Sequence, residues 1–200
     1  MQQGMLFHTL YAPDSEVYRE QTSCSLKGNL NVSAFQQAWG QVVQRHPILR
    51  TAFYWEELSE PLQVVQVELP WEQRDWRGLS SLEQHGWLEA FLEADRARGF
   101  DLGQAPVMRC ALLREAEDTY RFVWSSHHLL LDGWSLSLLL KEVLAFYEAY
   151  CRGRELRLES PRPYRDYIAW LPALLLSRYS GEEPELPSSD ISEDMEEIAV

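Results

Sequence analysis

Two apolar runs, Val107 to Leu113 and Tyr120 to Trp124, flank the acidic stretch Glu115-Ala116-Glu117-Asp118. Soon after them Leu136, Leu139, Leu140, Val143, Leu144 and Tyr147 recur at helical spacing. The switch from strand-like runs to a 3.6-residue period predicts a β-hairpin followed by an amphipathic helix. Neither element can bury its apolar side alone, so the helix must pack on the sheet. Ser135 is positioned to cap that helix, which is expected to run to about Arg152 and stop at Gly153.

The segments before the hairpin extend the same scheme. Met5, Leu6 and Leu10 predict a short helix ending at the turn Ala12-Pro13-Asp14-Ser15, and Val17 to Leu26 reads as a strand. Asn31 is a suitable N-cap for a helix carrying Val32, Phe35, Ala38, Trp39, Val42 and Val43 on one side and stopping at Pro47. Ile48 to Trp55 and Leu62 to Val67 read as strands. Ser80 and Glu83 have the spacing of a capping box, opening a helix to about Arg98 with Leu88, Phe91 and Leu92 inward and Gly99 as its end. A last helical segment is expected after Pro161 and Pro163. The expected fold is α/β, a mixed β-sheet with packed helices.

Charge and composition exclude several function classes. The net charge of −13 speaks against nucleic-acid partners, which need clustered Lys and Arg. Eight of the acidic residues, and no basic one, fall within residues 181–200. From about residue 186 the chain is rich in Pro, Ser, Asp and Glu, a composition expected to stay disordered. Cys24, Cys110 and Cys151 are widely spaced, which argues against a disulfide framework or zinc site and suits a reducing compartment. No apolar run reaches membrane-spanning length and no signal-peptide pattern opens the chain, so a cytoplasmic protein without membrane partners is expected.

Chemistry concentrates between Ser125 and Ser135. His127 and His128 are adjacent at the end of the second predicted strand, with Asp132 and Gly133 shortly after. Neighbouring residues at a strand end point to opposite sides, so chelation of one metal by both rings is awkward. An imidazole suits acid–base work near neutral pH. The competing reading makes both histidines hydrogen-bonded packing residues and Asp132 a turn cap. Asp132-Gly133 leading straight into a helix favours a site: a charge that needs a partner, then a position with no side chain to block a ligand. No nucleophile elbow or glycine-rich phosphate loop is present, so His128 is expected to promote direct attack by a substrate nucleophile.

His127-His128-Leu129-Leu130-Leu131-Asp132-Gly133 resembles the His-His-x-x-x-Asp-Gly signature of the acyltransferase superfamily that includes chloramphenicol acetyltransferase. Arg45-His46-Pro47-Ile48-Leu49-Arg50-Thr51-Ala52-Phe53 resembles a block of the nonribosomal peptide synthetase condensation domains. So do the opening Met1 to His8, Phe100 to Leu102 with Ala105 to Arg109, and Tyr164 to Trp170. The resemblance implies a single lobe of chloramphenicol acetyltransferase-like fold. It also implies a reaction in which a carrier-bound aminoacyl amine attacks an acyl or peptidyl thioester on a second carrier. The substrates would ride on 4′-phosphopantetheine arms of donor and acceptor peptidyl carrier domains, with no cofactor bound by this chain itself. By the same resemblance His128 is the reacting-centre histidine, Asp132 is structural and pairs with an upstream arginine, here Arg50, and Gly133 keeps the tunnel clear. For Arg45 and His46, stabilisation of a helix C-terminus is favoured over catalysis.

The resemblance covers about residues 1–170, the N-terminal lobe of a two-lobed domain, and 171–200 is expected to be a divergent Pro-rich acidic tail. A separate C-terminal lobe would then be needed to complete the site. A truncated gene product, a split enzyme and a half-domain kept for docking all fit this pattern. Two other functions stay open: a non-catalytic module that docks carriers or partners, and a carrier-independent acyltransferase of the chloramphenicol acetyltransferase type.

Overall fold

In the computed structural model the described residues are 2–11, 17–54, 62–65, 69–131, 133–161 and 198–199. The chain divides into two compact units, residues 1–156 with 199–200, and residues 157–198. The first carries all the elements discussed below. The expected helix after Pro163 and the acidic tail, apart from a two-residue strand at Ile198–Ala199, lie outside the described residues.

The unit is built on a mixed sheet. Its strands are β1 (Arg19–Lys27), β4 (Trp71–Asp75), β5 (Met108–Ala116) and β6 (Thr119–His127), in the spatial order β1-β6-β5-β4. β6 runs antiparallel to both β1 and β5, whereas β4 joins β5 in parallel. The hairpin expected from the two apolar runs is therefore the centre of the sheet. Its turn tightens to Glu117–Asp118, with a register shift between Arg114 and Ala116. β2 (Thr51–Tyr54) and β3 (Leu62–Val65) form a separate antiparallel pair.

Alternation along β6 assigns its two faces. Phe122 and Trp124 meet Trp39 and Phe35 of α2 (Val32–Arg45), with Trp39–Trp124 centroids 5.1 Å apart and Phe35–Phe122 centroids 5.2 Å apart. Val123, on the other face, joins Ala111, Leu113, Trp76 and Phe91, and Phe91 belongs to α3 (Ser81–Arg98). A sheet covered on both faces explains why β6 is buried almost without break.

The helices form where their caps and apolar spacing direct. Asn31 Oδ1 accepts the Ala34 N–H at 3.1 Å, and Ala34, Phe35, Ala38, Trp39, Val42 and Val43 are all buried. α4 (Gly133–Cys151) packs against α2, and Glu142 ties the pair by accepting from Arg45 Nε at 3.0 Å and lying 2.8 Å from His46 Nε2. Arg45 and His46 thus fasten two helices together. The capping box is present: Glu83 Oε2 accepts the Ser80 N–H at 2.7 Å and Ser80 Oγ accepts the Glu83 N–H at 3.4 Å. Ser80→Ala is expected to cost about 1 kcal/mol of stability, read from the urea unfolding midpoint.

Three expectations need correction, and one strand was not foreseen. Ile48 does not start a strand: Pro47–Arg50 make a 3₁₀ turn, and only Thr51–Tyr54 is extended. Proline's fixed φ suits the first residue of such a turn, and Leu49 is fully buried by it. Strand β4 was not foreseen, because it is a largely exposed edge strand whose Glu, Gln, Arg and Asp mask any apolar alternation. Ser135 is not the N-cap of α4, since the helix already begins at Gly133. Leu144 faces outward at 61% exposure, and the buried stripe is Leu139, Val143 and Phe146. Among the described residues no helix is long and apolar enough to cross a membrane.

Candidate active site

β6 delivers both histidines, and its pairing with β1 separates them. Directly paired residues share a sheet face, and His127 pairs with Arg19 while Ser126 pairs with Glu20. His127 therefore lies on the α3 side with Arg19. His128, just past the strand end, touches Glu20 and so belongs to the α2 side. Its backbone N–H donates to Tyr18 O at 2.8 Å, while the His127 N–H donates to Val107 O at 3.1 Å.

His127 is 2% exposed. Its Nδ1 accepts the Leu129 N–H at 3.2 Å, which places the ring proton on Nε2. Nε2 then donates to Thr9 Oγ1 at 3.4 Å, while that hydroxyl donates to Met5 O at 2.9 Å. Burial, then the positive charge of Arg19, then that of His128, push its pKa down to about 4. At neutral pH His127 is an uncharged packing group with both nitrogens engaged.

His128 is different. Its side chain keeps 33% exposure, and its Nδ1 lies 2.8 Å from Glu20 Oε1. The ring N–H direction misses that oxygen, so Nδ1 is buried without a directed hydrogen bond. The contact is close in distance but not yet aligned. Nε2 is left as the nitrogen that Glu20 does not engage. Glu20 escaped the sequence reading because the β1–β6 register that brings it to His128 leaves no mark in local spacing.

The remaining expected site residues are placed as follows. Gly133 opens α4, is exposed, and an added Cβ there would meet nothing within 4 Å. Arg50 ends the 3₁₀ turn, and its Nε is buried with no hydrogen-bond partner among the described residues. Asp132 lies outside the described residues, as do Tyr164 to Trp170. No group of three or more His, Cys, Asp or Glu among the described residues could hold a metal ion.

A second polar cluster, also unforeseen, braces β6 from behind. Asp95 on α3 accepts from Arg109 Nε on β5, from Ser125 Oγ on β6 and from Gln21 Nε2 on β1, the last at 2.8 Å. Arg109 also donates to Gly99 O at 2.7 Å and stacks 4.3 Å over the Phe100 ring. Burial alone would raise the Asp95 pKa, but the hydrogen bonds from Arg109, Ser125 and Gln21 outweigh it and hold the carboxyl below its ordinary value. A cleft of about 210 Å³ beside this cluster is lined by Trp71, Phe91, Asp95 and Arg109. It lies on the α3 face, whereas His128 lies on the other.

The sequence matches the condensation-domain family over residues 1–183. It is 49% identical over 173 residues to a linear gramicidin synthase of Brevibacillus parabrevis, covering 86% of this chain and 2% of that protein. Bacitracin synthase 3 of Bacillus licheniformis is 43% identical over 173 residues, with 86% of this chain and 3% of the relative covered. The chain thus spans a small fraction of the length of the curated relatives it matches. Among solved structures, the first condensation domain of the CDA synthetase superposes with a TM-score of 0.76 at 18% identity, covering 90% of this chain and 45% of that one. The starter condensation domain of rhizomide synthetase gives 0.75 at 20% identity, over 90% and 44%. A one-third-exposed histidine just past the end of the central strand, a buried one beside it and a helix opening at Gly133 are the parts this fold supplies to the signature, and the chain belongs to the condensation-domain family of the nonribosomal peptide synthetases, corresponding to its N-terminal lobe.

Proposed function

We propose that this lobe supplies the histidine wall of an amide-forming site. The amine of an acceptor aminoacyl group attacks the carbonyl carbon of a donor acyl or peptidyl thioester. The new C–N bond forms, the C–S bond breaks, and the proton lost by the amine ends on the departing thiol. The observation that carries this reading is His128: one-third exposed just past the end of β6, with one nitrogen near a carboxylate and the other without a hydrogen-bond partner among the described residues. Held beside the amine, Nε2 can accept its proton or orient it, and positioning alone supplies a large part of such rate gains.

The buried Nε of Arg50 needs an acceptor, and Asp132 is proposed to provide it, so that the pair holds the turn after His128 in place. Gly133 is proposed to keep the approach open, consistent with the free space around it. The substrates are proposed to arrive as thioesters on 4′-phosphopantetheine arms of donor and acceptor carrier domains. A C-terminal lobe is proposed to close the other wall, in the cytoplasm. His128 is one-third exposed on this lobe, and transition-state stabilisation needs donors aimed at the developing oxyanion in a site closed to water.

The test is single-turnover coupling with loaded donor and acceptor carriers, in the presence of a C-terminal condensation lobe. A dipeptidyl thioester on the acceptor carrier is the expected product. Carrier binding without any product, from this chain with every such lobe supplied, would replace the reading with that of a docking module.

A further inference from the structure

We propose that Glu20 is a positioning residue for His128: its carboxylate fixes the imidazole tautomer with the proton on Nδ1, leaving the Nε2 lone pair free toward the acceptor amine. The inference rests on the amide-forming reading and assigns a role to a residue outside the signature.

The geometry carries it. Glu20 Oε1 and His128 Nδ1 are 2.8 Å apart, a distance at which two polar atoms without a shared proton would repel. Nδ1 is buried away from water and has no other partner among the described residues. A buried ring nitrogen beside a carboxylate is most stable as the donor, because the carboxylate is acceptor-only. The contact is close but bent, and it becomes a directed hydrogen bond when the ring turns toward the carboxylate. Imidazole χ2 is a broad torsion, and hydrogen bonds at such sites tighten as substrate binds. Glu20 is itself held: its strand pairs with β6 at Ser126, and the adjacent Gln21 is fastened to Asp95 at 2.8 Å. The carboxylate is thus mounted on the same strand pair that carries the histidine. The arrangement follows the nucleophile–base–orienter logic of hydrolytic triads, with the substrate amine as nucleophile and Glu20 as orienter.

His127 gives an internal contrast. Its Nδ1 accepts a backbone N–H, forcing the opposite tautomer, and both of its nitrogens are occupied. Two adjacent histidines therefore hold their protons on different nitrogens, and only His128 keeps an Nε2 without a hydrogen-bond partner among the described residues.

The experiment uses the full chain labelled with ¹⁵N-histidine, at a mildly alkaline pH where imidazoles are neutral. Long-range ¹H–¹⁵N correlation is expected to show His128 protonated on Nδ1 in the wild type. Glu20→Ala is expected to shift the population toward Nε2–H, whereas Glu20→Gln, whose amide oxygen can still accept, retains the wild-type form. In coupling with a C-terminal lobe and loaded carriers, Glu20→Ala is expected to lower kcat on the order of 10- to 100-fold, as loss of an outer partner does for other functional imidazoles, with KM unchanged and partial rescue by Glu20→Gln. Nitrogen shifts unaltered in Glu20→Ala overturn the proposal, and so does a changed tautomer with unchanged kcat. Should no form turn over, wild type included, the amide-forming reading fails while the nitrogen shifts still decide whether Glu20 sets the tautomer.

Discussion

His128→Ala lowers the single-turnover rate of amide formation on the order of 10²- to 10⁴-fold, the usual span for a positioned acid–base group, and leaves stability nearly unchanged. The reason for the split is burial. The His128 ring is one-third exposed, and the hydrogen bond that fastens this point of the chain comes from its backbone N–H to Tyr18 O, which alanine retains. His127→Ala divides the other way. It empties a fully buried site, orphans Thr9 Oγ1 as an acceptor and removes the ring that receives the Leu129 N–H, so its first effect is a lowered unfolding midpoint. Measuring both variants by coupling rate and by denaturant midpoint separates the two histidines. Equal loss of rate at unchanged stability for both would contradict the assignment of His127 to packing.

Much of the fold was written in local pattern. The β5–β6 hairpin, the capped α2 and the Ser80–Glu83 capping box each depend on neighbours in sequence, where apolar period and cap chemistry are legible. What was not legible depends on partners far along the chain. β6 continues through Ser125, Ser126 and His127, polar residues that look like a strand ending, because Asp95 and Thr9 satisfy two of them from other elements. β4 is hidden for the opposite reason: one edge in solvent removes the apolar signal. The histidines could be found from their spacing, and their opposite placement follows from strand alternation. Glu20 could not be found, since only the β1–β6 register joins it to His128.

The second large effect is structural and sits behind the site. Asp95 is 11% exposed and Arg109 14%, and together they join α3 to three neighbouring strands. The links run to β6 through Ser125, to β1 through Gln21 and to β5 through Arg109 itself, which also donates to the Gly99 carbonyl at the end of α3. Asp95→Ala leaves a largely buried guanidinium without its carboxylate. Breaking a fully buried pair from one side costs about 3–5 kcal/mol, and this partly buried one should cost less than that but more than a surface pair. Removing the charge on both sides, as in Asp95→Asn with Arg109→Met, should cost less than the single alanine change, because the penalty lies in the uncompensated charge. The same group sets a pH dependence. Its folded pKa lies below the unfolded value, so the stabilisation is fully present above the ordinary carboxylate pKa and is lost as pH falls through the folded one. The wild-type unfolding midpoint should therefore decline from about pH 4 downward, and Asp95→Asn should flatten that decline while lowering the plateau at neutral pH. A slope in Asp95→Asn equal to that of the wild type would show that other carboxylates carry the acid sensitivity. Because Ser125 stands two residues before His127 on β6, loss of the Asp95 anchor also loosens the strand that aims His128. The coupling rate of Asp95→Asn should then fall more than its folded fraction does.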